Sequence, residues 1–150
     1  MIYARKHQGV CMSRQAMEKA ISEVPKQTRA LTKARPYLLE VADKLQDDIL
    51  GILSVVVSPE SDMCLVVTPS RIVGVRDDGS VEVWRYEDLK QVMVVGGEKK
   101  LFGRRDFTFF NIYLSNGSAR TFQTLDEYEY LNRIGQLAES ACRKAQIANL

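Results

Sequence analysis

Nucleophilic and metal-assisted chemistry start from histidines, cysteines and converging carboxylates, and His7 is the only histidine of this chain. His7 and Cys11 are four residues apart, a spacing that can chelate a metal on one helix face, but two ligands do not make a site. A Ser/His/Asp or Cys/His arrangement would require His7 to reach a nucleophile from the N-terminal segment. Asp47-Asp48 and Asp77-Asp78 are pairs that could hold a hard cation, yet adjacent carboxylates at element ends are more commonly solvated turn residues. Gly96-Gly97 lacks the Gly-Lys-Ser/Thr ending and following helix of a phosphate loop. Glu127 and Glu129 fit a helix start, where acids complement the macrodipole. No catalytic residue, metal ligand or cofactor site emerges, and the expectation is a protein that is not an enzyme.

The segment most suited to binding is Gly96–Asp106, in which Lys99, Lys100, Arg104 and Arg105 flank Leu101 and Phe102. A loop this long on a β scaffold commonly carries function. An apolar tip between basic pairs suits a protein partner or an anionic membrane surface; the structural alternative folds Leu101 and Phe102 back onto the core. Nucleic acid is a further candidate, through salt-sensitive phosphate contacts, although no known nucleic-acid motif is present. Phe107, Phe109, Phe110, Tyr113 and Phe122 have the spacing of strand core residues more than of a base-stacking platform.

Charge is distributed unevenly over the 150 residues. The net charge is +2, but residues 1–36 carry +6 and the remainder −4, a basic arm on a mildly acidic body. With 45% apolar and 27% charged residues the chain can bury a core and stay in solution. No run approaches the roughly 18 apolar residues of a membrane helix, and no apolar stretch of a secretory signal follows Arg5 and Lys6. Three widely spaced cysteines, Cys11, Cys64 and Cys142, argue against a disulfide framework and for a cytoplasmic setting.

Three kinds of element must position these residues. Up to about residue 47 the pattern is helical: Ala16, Met17, Ala20, Ile21 and Val24 form one stripe, with Ser13 as N-cap and Pro25 as stop. Leu38, Val41, Ala42, Leu45 and Ile49 form another after Pro36, with Lys26–Arg35 between them as a short helix or linker. Both stripes need a surface to cover them, on the body or on another copy, and Ile21 and Leu38 are the expected contact residues. From 49 to 123 short runs rich in Val, Ile, Phe and Tyr predict seven strands, at about 49–57, 63–68, 71–76, 81–86, 91–95, 107–114 and 119–123. Asp77–Ser80 and Ser115–Ser118 are hairpin turns. A last helix is expected over about 126–148, opened by a capping box of Thr124 and Glu127, with Tyr128, Leu131, Ile134, Leu137, Ala138, Ala141 and Ala145 as its apolar stripe.

Seven antiparallel strands followed by one helix resemble the pleckstrin homology (PH) superfold, and the local text resembles its short bacterial branch. The segments are LVVTPSRIVGV at 65–75, DDGSVEVWRYEDL at 77–89 and the paired strands around the Asn-Gly turn in 107–123. The resemblance covers about residues 38–140 and leaves out the basic arm. It implies a mainly β fold, a seven-stranded antiparallel barrel or sandwich closed by a C-terminal helix and preceded by a helical extension, divided at 1–47 and 48–150. It further implies a non-enzymatic platform of bacterial or phage origin that binds a protein partner or assembles with itself. Phosphoinositide-specific binding is disfavoured, because the loop Ser58–Asp62 holds two acids and no base. The alternative is peripheral binding of anionic lipid or nucleic acid through the arm and the 96–106 loop.

Overall fold

The structure, a computed structural model, describes the backbone of residues 2–58, 61–96, 100–101, 104–105 and 108–150, and the side chains of 13–57, 61–96 and 108–150. Two helices, α1 (Ile2–Glu23) and α2 (Arg29–Leu45), precede strands β1 (Gly51–Ser58), β2 (Ser61–Val67), β3 (Arg71–Arg76) and β4 (Val81–Arg85). A single 3-10 turn over Tyr86–Asp88 leads to β5 (Leu89–Val95), then the two-residue strands β6 (Lys100–Leu101) and β7 (Arg104–Arg105). β8 (Phe109–Leu114), β9 (Ala119–Thr124) and α3 (Tyr128–Ala148) complete the chain.

Seven strands form one antiparallel sheet in the order β4-β3-β2-β1-β9-β8-β5, and β6 and β7 pair separately. The hairpins turn where expected: Gly79 (φ +91°) and Gly117 (φ +93°) adopt the left-handed backbone that Asp77–Ser80 and Ser115–Ser118 require. The sheet is open and not a closed barrel, because β4 and β5 do not pair and the 3-10 turn redirects the chain between them. Tyr86 in that turn is fully buried, and its hydroxyl donates to the Thr68 carbonyl at 2.7 Å.

Strands β2 and β3 are buried on both faces. One face, with Leu53, Leu65, Ile72, Val92, Phe110 and Phe122, packs with α3, whose buried residues include Leu131, Ile134 and Ala138. Close approach depends on Gly51, where a Cβ would lie 2.5 Å from Ile134 Cδ1, and on Gly135 of α3, which faces Val94. The other face is covered by α1 and α2, with Met17, Ala30, Leu31, Ala34, Leu38 and Ala42 all within the core.

The helices differ from expectation at their ends. α1 is already running at Ser13, so Ser13 is not its N-cap, and Gln27 Nε2 donates to the carbonyls of Ile21 and Val24 at its C-terminal end. α2 begins at Arg29 and runs through Pro36, with Thr28 as N-cap accepting from the Leu31 amide at 3.1 Å. An interior proline costs a helix about 3 kcal/mol. Burying Leu31, Leu38 and Leu45 returns roughly 1.5–3 kcal/mol each, so the stripe outweighs the proline. There is no capping box at α3: Thr124 ends β9, its hydroxyl donates to the Thr108 carbonyl at 3.1 Å, and Glu127 is an N-cap without a side-chain bond. The α3 stripe is rotated from the expected one, burying Tyr130 and Gly135 and leaving Leu137 40% exposed.

Candidate interaction surface

β1 and β9 are in register over two residue pairs only, Val55 with Thr124 and Val56 with Gln123. Towards Gly51 the chain after β9 turns away and groups from the α3 entry replace the ladder. The Leu125 amide donates to the Ser54 carbonyl at 2.9 Å, and the Asp126 carboxylate accepts from the Ser54 amide at 2.6 Å. The Tyr130 hydroxyl donates to the Ile52 carbonyl at 2.6 Å and accepts from the Ile52 amide at 3.3 Å. Burial raises the Asp126 carboxyl to about 7 against the opposing Ser54 hydrogen bond, and its Oδ1 has no hydrogen-bond partner among the described residues. Across the sheet the Ser54 hydroxyl meets the Thr28 hydroxyl at 2.7 Å, tying the α2 cap to β1. Cys64 is buried nearby, and burial pushes its thiol up to about 12, which makes it a poor nucleophile at neutral pH.

The two halves of the curled sheet also meet through side chains. Glu82 of β4 accepts from Arg76 at 2.6 Å and from Arg120 of β9 at 2.8 Å. Burial works to raise the Glu82 carboxyl, and the hydrogen bonds and charges of the two arginines outweigh it, leaving it below its ordinary value. The Arg120 guanidinium lies 5.5 Å from the Trp84 ring centre and 5.1 Å from that of Phe122. Those rings meet edge-on at 5.8 Å.

Leu38 is fully buried and Ile21 nearly so, both in the chain's own core, so of the two covers expected for their stripes the structure shows the body. Their stripes find cover on the sheet and on each other. Two cations of the basic arm are likewise engaged within the chain: Arg14 with Asp43 at 2.8 Å and Arg29 with the buried Asp62 at 3.0 Å. Asp47 and Asp78 serve turns, Asp47 accepting from the Ser70 hydroxyl and Asp78 from the Ser80 amide and hydroxyl. Lys99 and Phe102 lie outside the described residues. Lys100, Leu101, Arg104 and Arg105 are described in backbone only, where the β6–β7 register sets Lys100 opposite Arg105 and Leu101 opposite Arg104. His7 and Cys11 are on α1, with side chains outside the described set. Among the described residues no three His, Cys, Asp or Glu side chains converge to hold a metal, and no helix is long and apolar enough to cross a membrane.

What the sequence reading missed is the outer side of α2 and β4. A cleft of about 360 Å³ runs between them, with Tyr37, Val41 and Lys44 on one wall and Val73, Val81 and Val83 on the other. Val81 and Val83 are 46% and 50% exposed, although β4 alternates like the other strands. Tyr37 also packs on the Gly79 turn, where a Cβ would come within 2.8 Å of its ring, so helix and hairpin hold the cleft at a fixed width. β4 is an edge strand, paired among the described residues with β3 alone.

The fold is therefore mainly β, an open seven-stranded antiparallel sheet with a C-terminal helix on one face and two N-terminal helices on the other. No known protein-family profile matches the chain, and no curated protein does. Among solved structures it is similar to one described as the crystal structure of the C-terminal domain of an unknown protein from Leishmania infantum. Identity is 14%, over 75% of this chain and 94% of that one, with a TM-score of 0.44. A likeness of that size carries no argument about function.

Proposed function

We propose that the chain is a non-catalytic interaction module of PH-like type, from a bacterium or phage, that receives a protein partner at the β4 edge and the adjoining α2 cleft. The observation that carries this reading is the exposure of Val81 and Val83, 46% and 50%, on a strand with one side unpaired among the described residues. Exposed apolar edge strands are sites of strand addition unless they are shortened, charged or covered. The PH-like part is supported by the succession of seven antiparallel strands and one long helix. A cytoplasmic setting belongs to the same proposal, supported by the free, buried thiols of Cys64 and Cys142. The test is affinity capture from the native host with the wild-type chain and with Val81→Lys/Val83→Lys. A discrete protein held by the first and lost by the second, at equal folded stability, supports the reading. Identical captures from both refute it.

A second reading, binding of an anionic membrane or nucleic acid, draws on the β6–β7 ribbon, whose register gathers Lys100, Arg104 and Arg105 within four residue positions. Counterion release makes such binding fall steeply with salt. Flotation with phosphatidylserine vesicles and gel shifts at low salt, repeated after charge reversal of Lys99, Lys100, Arg104 and Arg105, test it directly.

A further inference from the structure

We propose that the occupant of the β4 edge is a second copy of this chain, its β4 antiparallel to the first and centred on Val83, so that two sheets become one. This rests on reading the β4 edge as an interaction surface.

The ladder between β3 and β4 sets the geometry. The Arg76 amide bonds to the Ser80 carbonyl at 2.9 Å and the Tyr86 amide to the Ser70 carbonyl at 3.2 Å, which fixes the even-numbered residues of β4 as those bonded to β3. In an antiparallel ladder the intervening residues turn their amides and carbonyls the other way. Val81, Val83 and Arg85 thus present their N–H and C=O groups outward. These three are symmetric about Val83. A two-fold axis there pairs Val83 with Val83 and Val81 with Arg85 of the second copy, and every outward donor meets an outward acceptor.

Side chains and charges favour the same arrangement. Val81, Val83 and Arg85 share one face, so the axis packs Val83 on Val83 and lays Val81 along the aliphatic stem of Arg85. The strand is also bipolar. It starts from the Asp77-Asp78 turn, whose Asp78 carboxylate is held in the charged form chiefly by hydrogen bonds from Ser80. It ends at Arg85, which lies in register with Arg71 and whose nearest carboxylate, Glu87, stands 4.0 Å away. Antiparallel pairing brings the Asp77-Asp78 turn of each copy towards Arg85 and Arg71 of the other, with Glu87 and Asp88 following in the 3-10 turn, whereas parallel pairing would set the two Arg85 side chains beside one another. The opposite edge of the sheet is managed differently: Gln146 of α3 reaches over β5 and donates to the carbonyls of Leu89 and Lys90 at 2.7 and 3.0 Å.

The experiment is sedimentation or light scattering across concentration, with disulfide trapping. Wild type is expected in a monomer–dimer equilibrium. Val83→Lys is expected to be monomeric, with an unfolding midpoint equal to that of wild type at dilution where both are monomers, because residue 83 is half exposed and a lysine there stays solvated. In a Cys11→Ser background, Val83→Cys should cross-link on mild oxidation, since directly opposed residues lie about 5.5 Å apart, within disulfide reach. Val81→Cys, whose symmetry mate is four residues along, should not. A wild-type monomer at about 1 mM, a dimer that persists in Val83→Lys, or equal cross-linking at 81 and 83 overturns the proposal. Capture of a host protein that depends on Val81 and Val83, by a chain that remains monomeric, overturns the second copy and leaves the broader interaction reading standing.

Discussion

The Asp126 carboxylate accepts the Ser54 amide proton at 2.6 Å where β1 has parted from β9. A buried carboxylate with one oxygen unpartnered is an uneasy substitute for a strand, and its protonation carries a sign that can be measured. Its folded value of about 7 lies above the ordinary 3.8, so the folded state binds the proton more tightly than the unfolded chain. The stability from this group is fully present below about pH 4 and is lost as pH rises towards 7. Asp126→Asn cannot ionise. Urea unfolding of both proteins should show the variant gaining on wild type across that window, and a pH-independent difference would contradict this account.

Tyr130→Phe removes the hydroxyl that serves both backbone groups of Ile52. Buried backbone groups without partners cost roughly 1–3 kcal/mol each. We expect a loss of about 2–4 kcal/mol in chemical unfolding, with faster hydrogen exchange at the Ile52 amide.

Glu82→Gln leaves Arg76 and Arg120 facing one another across a neutral amide. Loss of two charge-assisted hydrogen bonds, discounted for partial exposure, gives an expected destabilisation of about 1–3 kcal/mol. Near-ultraviolet circular dichroism should register a change at Trp84, because Arg120 lies over its ring.

Gly51→Ala sets two effects against each other. Alanine in a strand is favoured over glycine by about 0.5–1 kcal/mol, but the new methyl would meet three carbons of Ile134 at 2.5–3.0 Å. Overpacking costs about 1–3 kcal/mol, so the variant should be net destabilised in thermal or urea unfolding. Ile134→Val in the same chain should recover part of the loss.

The β region was legible because its signals are local. Gly79 and Gly117 had to sit where a tight turn needs positive φ, and the runs between them alternate with the period of strands. α2 was less legible, since Pro36 reads as a beginning; only burial of Leu31 and Ala34 on the sheet, a tertiary effect, lets the helix start seven residues earlier. Thr124 and Glu127 matched a capping motif that pairing of β9 with β8 pre-empted. The exposure of Val81 and Val83 had no sequence signal, because alternation does not say which strand lies at an edge. Nor did spacing reveal that Asp126 and Tyr130 would complete β1 from more than 70 residues away.

The short pairing between β1 and β9 gives the molecule a mechanical character. The four strands β1 to β4 and the three strands β9, β8 and β5 are each continuously laddered, but β1 and β9 are in register at only two residue pairs. Shear between those blocks falls on that seam, on the Leu125 amide, one carboxylate, one phenol and the Glu82–Arg120 bond, together with the packing of α3 on β1 and β5. Pulled apart through β1 and β9, the sheet should part there, each block keeping its own ladders.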